Sequence, residues 1–141
     1  FIFLTENNGN TFPNNTEITH AITFANTFAL NNLKFALGVN WHSGIPFTKP
    51  EENNPVSNGT INYSLPNSSN IKDHARVDLS ATYNFKVSKN IHSEIGASIW
   101  NLLNTENIIN IYYTLDSSDN ISKVENQSLG ITPNISFRLN F

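Results

Sequence analysis

The chain has 141 residues, the length of one ordinary domain, with 13% charged residues, 38% apolar residues and a net charge of −3. The acidic balance leaves no basic surface for nucleic acid, and the absence of cysteine excludes a disulfide framework and thiolate metal sites. No run of about 18 apolar residues is present, which excludes a transmembrane helix but not a transmembrane strand, for which about 9–11 alternating residues suffice.

The chain opens Phe1-Ile2-Phe3-Leu4 without an initiator Met, so it is expected to be a piece of a longer protein, with residues 1–5 the stub of a strand and residues 6–17 a polar loop. Over residues 18–30, Ile18, Ile22, Phe24, Phe28 and Leu30 oppose a file of small residues, the period-2 signature of a strand. Asn31-Asn32 then predicts a tight turn, because Asn tolerates positive φ. Phe35, Leu37, Val39 and Trp41 form one face of a second strand over residues 33–47, which leads into a polar loop over 44–73. Residues 75–86 alternate Val77, Leu79, Ala81, Tyr83 and Phe85 against Arg76, Asp78, Ser80, Thr82 and Asn84. After a short turn at 87–90, residues 91–115 read as one long strand with a break near 101–107. A polar loop at 116–130 precedes the last strand, where Ile131, Pro133, Ile135, Phe137, Leu139 and Phe141 share a face. No segment has helical periodicity, so the fold class is all-β and antiparallel.

Short turns at one rim and long loops at the other describe an outer-membrane barrel. Lys34, Arg76, Asp78, Lys86, Glu94 and Arg138 lie inside strands, and all occupy the polar phase. The remaining polar positions are mostly Ser, Thr, Asn, Gly and Ala, which suits a watery lumen better than the charged outer face of a soluble sandwich. Phe28, Phe85 and Phe141 fall at the short-turn rim, as in an aromatic girdle. About five strands and a stub cannot close a barrel, and lipid does not tolerate open edges, so the missing strands are expected before Phe1. The whole of 1–141 is thus expected to be the C-terminal portion of a transmembrane β-barrel.

Four segments resemble the TonB-dependent receptors of Bacteroidota. They are His74-Ala75-Arg76-Val77-Asp78-Leu79-Ser80-Ala81-Thr82-Tyr83-Asn84-Phe85, Ile99-Trp100-Asn101-Leu102-Leu103-Asn104, Trp41-His42-Ser43-Gly44-Ile45-Pro46-Phe47-Thr48, and the closing run from Leu129 to Phe141. One departure is Leu103, where an aromatic residue is usual. The resemblance implies a barrel of about 22 strands with a plug that this chain lacks. It further implies active import of a siderophore, cobalamin, glycan or peptide across the bacterial outer membrane. The implied partners are membrane lipid, the rest of the barrel and plug, TonB and the assembly machinery, with room for a surface lipoprotein. Ile135, Phe137, Leu139 and Phe141 resemble the signal that the assembly machinery reads. His42, Tyr63, His74, Trp100 and Tyr112 are candidates to face substrate.

No nucleophile–base set or paired-carboxylate cleft accompanies Asp78, so Arg76 and Asp78 read as a structural ion pair, and no enzyme chemistry, cofactor or metal is expected. Asp116 and Asp119 lie in a segment that reads as a solvated turn rather than a Ca²⁺ loop, since it lacks the Gly and distal Glu of an EF-hand. Two other readings stay open: a barrel without energy coupling (a porin-like channel or a structural subunit of an outer-membrane assembly) and a soluble carbohydrate-binding β-domain.

Overall fold

The computed structural model describes residues 4–7 and 10–141. Among them there is no helix, and the sheets are antiparallel, so the chain is all-β. The strands are β1 (Leu4–Asn7), β2 (Asn10–Pro13), β3 (Ala21–Leu30), β4 (Leu33–His42), β5 (Pro46–Phe47), β6 (Val56–Ser57) and β7 (Thr60–Ile61). They continue with β8 (Ser69–Asn70), β9 (His74–Ser88), β10 (Ile91–Trp100), β11 (Ile108–Leu115), β12 (Ile121–Gln127) and β13 (Thr132–Asn140). The chain divides into two compact units: Phe1–Ala21 with His42–His74 and Asn107–Ser128, and Ile22–Trp41 with Ala75–Glu106 and Leu129–Phe141.

The second unit holds the body of a five-stranded sheet in the order β13-β10-β9-β4-β3. The sheet is open, with β13 and β3 at its edges. Asn31 takes φ 51° in the two-residue turn between β3 and β4, the left-handed conformation that short-sided Asn adopts most readily. Asn32 ties that turn to β9, donating from its amide to the Asn84 carbonyl at 2.8 Å. The turn between β9 and β10 is equally short, and the register slips by one residue between Ile91 and His92, which leaves Val87 unpaired.

The register puts like with like across the sheet. Phe137, Ile95 and Tyr83 form one row, and Ile135, Ala97 and Ala81 the next. Arg138, Glu94 and Asn84 form a row of the other phase, as do Asn134, Ser98 and Ser80. Because side chains alternate between faces, one face collects the apolar rows and the other the polar ones. No second layer covers the apolar face within this unit: Ile22, Phe24, Phe28, Ile95 and Phe137 are exposed, and Ile135 is 85% exposed. Among the described residues the buried large apolar side chains are Ile71 and Ile108, both in the first unit.

In the first unit the loop expected over 44–73 is one irregular hairpin. β5 pairs with β8, Pro50 bridges Tyr63, and β6 pairs with β7 around an Asn58-Gly59 tip at φ 52° and 69°. β1 and β2 form a further two-stranded sheet. The expected stub at 1–5 therefore reaches the described residues only as Leu4 and Thr5, and Phe1–Phe3 lie outside them.

The strand expected over 33–47 stops at His42, and the loop expected over 6–17 holds the end of β1 and the whole of β2. Residues 91–115 are not one long strand, because β10 stops at Trp100 and the chain turns through left-handed Asn101 (φ 51°) and Asn104 (φ 52°). β11 then pairs with β12, which occupies much of the loop expected over 116–130. The pairing of Leu115 with Ile121 and of Tyr112 with Val124 uses the two apolar residues of β12, and these stand three apart. A strand so patterned gives no alternation to read.

Candidate functional site

Two clusters sit where the sequence motifs fall. In the second unit, Asp78 takes Arg76 through both carboxylate oxygens, Nε donating at 2.8 and 2.9 Å and Nη2 at 2.7 Å. The Asn101 backbone N–H donates to the same carboxylate at 2.9 Å. The Arg76 guanidinium lies 5.5 Å from the centre of the Trp100 ring, a cation–π contact on the polar face. The expected ion pair is therefore present, and Asp78 is saturated by structural donors.

Asn101 stands inside one of the four motifs, and nothing in its sequence neighbourhood marks it as a site residue. It is 1% exposed. Its Nδ2 donates to the carbonyls of Thr105 (2.9 Å) and Leu129 (3.1 Å), and its Oδ1 accepts the Thr105 N–H at 3.0 Å. One side chain thus closes the turn after β10 and ties it to the approach to β13. The polar face beside this cluster is floored by small residues. A cavity of about 230 Å³ is lined by Ala25, Ala36, Gly38, Ser80, Ser98 and Trp100 among others. A second, of about 170 Å³, includes Thr82, Gly96, Asn134 and Ser136.

On the apolar face, Ser93 lies between Leu139 and Phe85 in register and is 2% exposed with its hydroxyl unpartnered. Its small side chain leaves room for those two large neighbours. Ile135, Phe137 and Leu139 point from the same face of edge strand β13, and Phe141 follows it; all are exposed.

In the first unit, the rings of His42 and His74 stack in parallel, 4.7 Å apart and 2° from coplanar orientation. Next to His42, the Ser43 hydroxyl accepts the N–H groups of Thr19 (3.0 Å) and His20 (3.1 Å). Gly44 donates its N–H to Asp73 at 3.0 Å and lies so close to the Ile71 carbonyl that a Cβ would stand 1.7 Å from that oxygen. Only glycine fits there. Tyr63 meets Tyr113 edge to face at 6.5 Å, and both Tyr63 and Tyr112 are exposed. Among the five substrate-facing candidates, His42 pairs with His74 and Tyr63 with Tyr113 in the first unit, and Trp100 pairs with Arg76 in the second.

Asp116 closes the β11–β12 hairpin. Its Oδ1 accepts the N–H groups of Ser118 (2.8 Å) and Asn120 (2.9 Å), and its Oδ2 accepts the Asn120 amide at 3.0 Å. The Asn120 side chain first, then the Asn120 and Ser118 backbone donors, hold its carboxyl below the usual carboxylate range. A lowered value means that this turn is supported above the ordinary Asp range, near pH 4, and loses that support as pH falls through the depressed value.

Comparison with protein-family models, with curated proteins and with solved structures finds no match to this chain.

Proposed function

We propose that this chain supplies strands of a β-barrel in the bacterial outer membrane and that the barrel imports a scarce nutrient with energy delivered through TonB. The observation that carries the barrel is the uncovered apolar face of the five-stranded sheet. Contiguous exposed apolar surface of more than a few hundred Å² marks contact with a partner or a membrane. At about 25 cal/mol per Å² such a face is costly to leave in water. It holds no charged side chain, while Arg76, Asp78, Glu94 and Arg138 all stand on the polar face. Between those charges the polar face is mostly small Ser, Thr, Asn, Gly and Ala, which suits a water-filled lumen. Open edges at β3 and β13 call for further strands, since lipid leaves no unpaired backbone group satisfied.

The import half of the reading is supported by the four motifs. The geometry adds a reason for two of them: Asn101 saturates the turn after β10, and Ser43-Gly44 builds a close approach that nothing larger allows. In this reading the ligand crosses unchanged, and the assembly machinery, TonB and a plug are partners that other segments engage.

The test is membrane fractionation of the protein as cells make it. Recovery in the outer membrane, resistant to carbonate and urea extraction, is expected, and a soluble product overturns the reading. Ligand uptake should stop in a host lacking TonB while membrane levels hold. Uptake that persists there favours a channel without energy coupling.

A further inference from the structure

The first unit contains a cavity of about 400 Å³ that none of the residues discussed as substrate-facing lines. That volume lies within the ~300–1,000 Å³ range of small-ligand sites. Its apolar wall comes from Ile45, Phe47 and Ile71 of the irregular hairpin and from Ile109 and Ile111 of β11. Its polar lining comes from Asn15, Thr16, Asn67 and Asn110, and no charged side chain borders it among the described residues. A ligand with a net charge would lose hydration there without a counter-charge to replace it.

The polar groups are set rather than loose. Asn67 sits at φ 54° with its N–H donated to the Thr48 hydroxyl (2.9 Å) and its Nδ2 donated to the Pro13 carbonyl (2.7 Å), so its Oδ1 remains as an acceptor. The Thr16 hydroxyl has its proton committed to Asn14 at 2.7 Å and likewise offers an oxygen. β11 adds backbone groups. It pairs with β12 alone among the described residues, and in an antiparallel ladder alternate residues direct N–H and C=O away from the partner. The register steps over Ile109, from Ile108 paired with Gln127 to Asn110 paired with Asn126. A bulge of this kind re-aims a side chain, and Ile109 is 54% exposed at the cavity.

We propose that this cavity binds a short, uncharged peptide in extended conformation, its apolar side chains against the isoleucine wall and its backbone against Asn67, Asn110 and the free edge of β11. A strand edge recognises an extended main chain, and pockets beside it take alternate side chains. Carboxamides match peptide groups, since each offers both a donor and an acceptor. A sugar fits less well, because branched aliphatic walls leave its hydroxyls unpaired. As a substrate class this statement rests on the import reading, whereas the binding event itself rests on the cavity.

Isothermal titration of the detergent-solubilised protein with a doubly blocked valine–leucine–valine tripeptide tests it. Saturable binding is expected, weakened about tenfold or more by Ile109→Glu and by placing lysine at the centre of the peptide. Asn110→Ala, a milder change at an exposed position, should weaken it in the same direction. Absence of binding, binding indifferent to both variants, or binding of maltose in place of the tripeptide overturns the proposal. Extraction resistance of the unmodified protein is scored separately, so absence of peptide binding by a protein that the membrane retains tells against the cavity alone.

Discussion

Asn101 closes the turn after β10 with three side-chain hydrogen bonds. It is buried, left-handed and bonded through both ends of its carboxamide to residues 105 and 129. Replacing it by alanine removes three hydrogen bonds, leaves part-buried backbone partners unpaired and puts at positive φ a residue that adopts it less readily than Asn. The expected cost is about 2–4 kcal/mol, read from the urea midpoint of the reconstituted protein. Asn101→Gly keeps the conformation and loses only the bonds, so it should be milder by about 1 kcal/mol. Equal losses would remove the backbone share of the argument. None of this is legible in the local sequence, because one of the groups Asn101 satisfies lies 28 residues away. A motif can mark such a residue without saying what it holds.

At the scale of elements, the alternation of β9, β10 and β13 was readable because each carries a nearly unbroken apolar file. Slipping any of them by one residue would send every apolar side chain to the wrong face. β12 was unreadable for the opposite reason: its partner β11 supplies most of the apolar side chains, and a polar strand looks like a loop. The break after Trp100 was visible, yet the resumed odd-numbered phase of Ile109, Ile111 and Tyr113 suggested continuation rather than a new hairpin. The two faces of β13 make a direct comparison. Ile135 and Asn134 are neighbours on one edge strand, with Ile135 in the row of Ala97 and Ala81 and Asn134 in the row of Ser98 and Ser80. Ile135→Arg should cost about 2–4 kcal/mol in lipid vesicles, measured by guanidinium unfolding. Asn134→Arg should cost under about 1 kcal/mol. Similar costs for the two would invalidate the assignment of lipid and lumen faces.

For the whole molecule the open edges matter most. β9, β10 and β4 each have two ladder neighbours, whereas β3 and β13 have one. Hydrogen exchange on the protein as cells make it, held in micelles, should find the outward amides of β3 and β13 as slow as those of β10, because further strands complete the ladder. Fast exchange confined to β3 and β13 would mean that the sheet ends there. Alternation shows which face of β3 and β13 is apolar but not which strand either pairs with, because the ladder is made by backbone groups that every residue but proline carries alike.

The crowding at Gly44 bears on how this sequence can drift. Every missense change of a glycine codon introduces a Cβ, and at Gly44 each one meets the Ile71 carbonyl oxygen at 1.7 Å. Gly38, by contrast, faces only the Asp78 Cβ at 3.9 Å, an ordinary contact that alanine or serine satisfies. Descendants that keep this loop should therefore wander freely at position 38 and not at all at position 44.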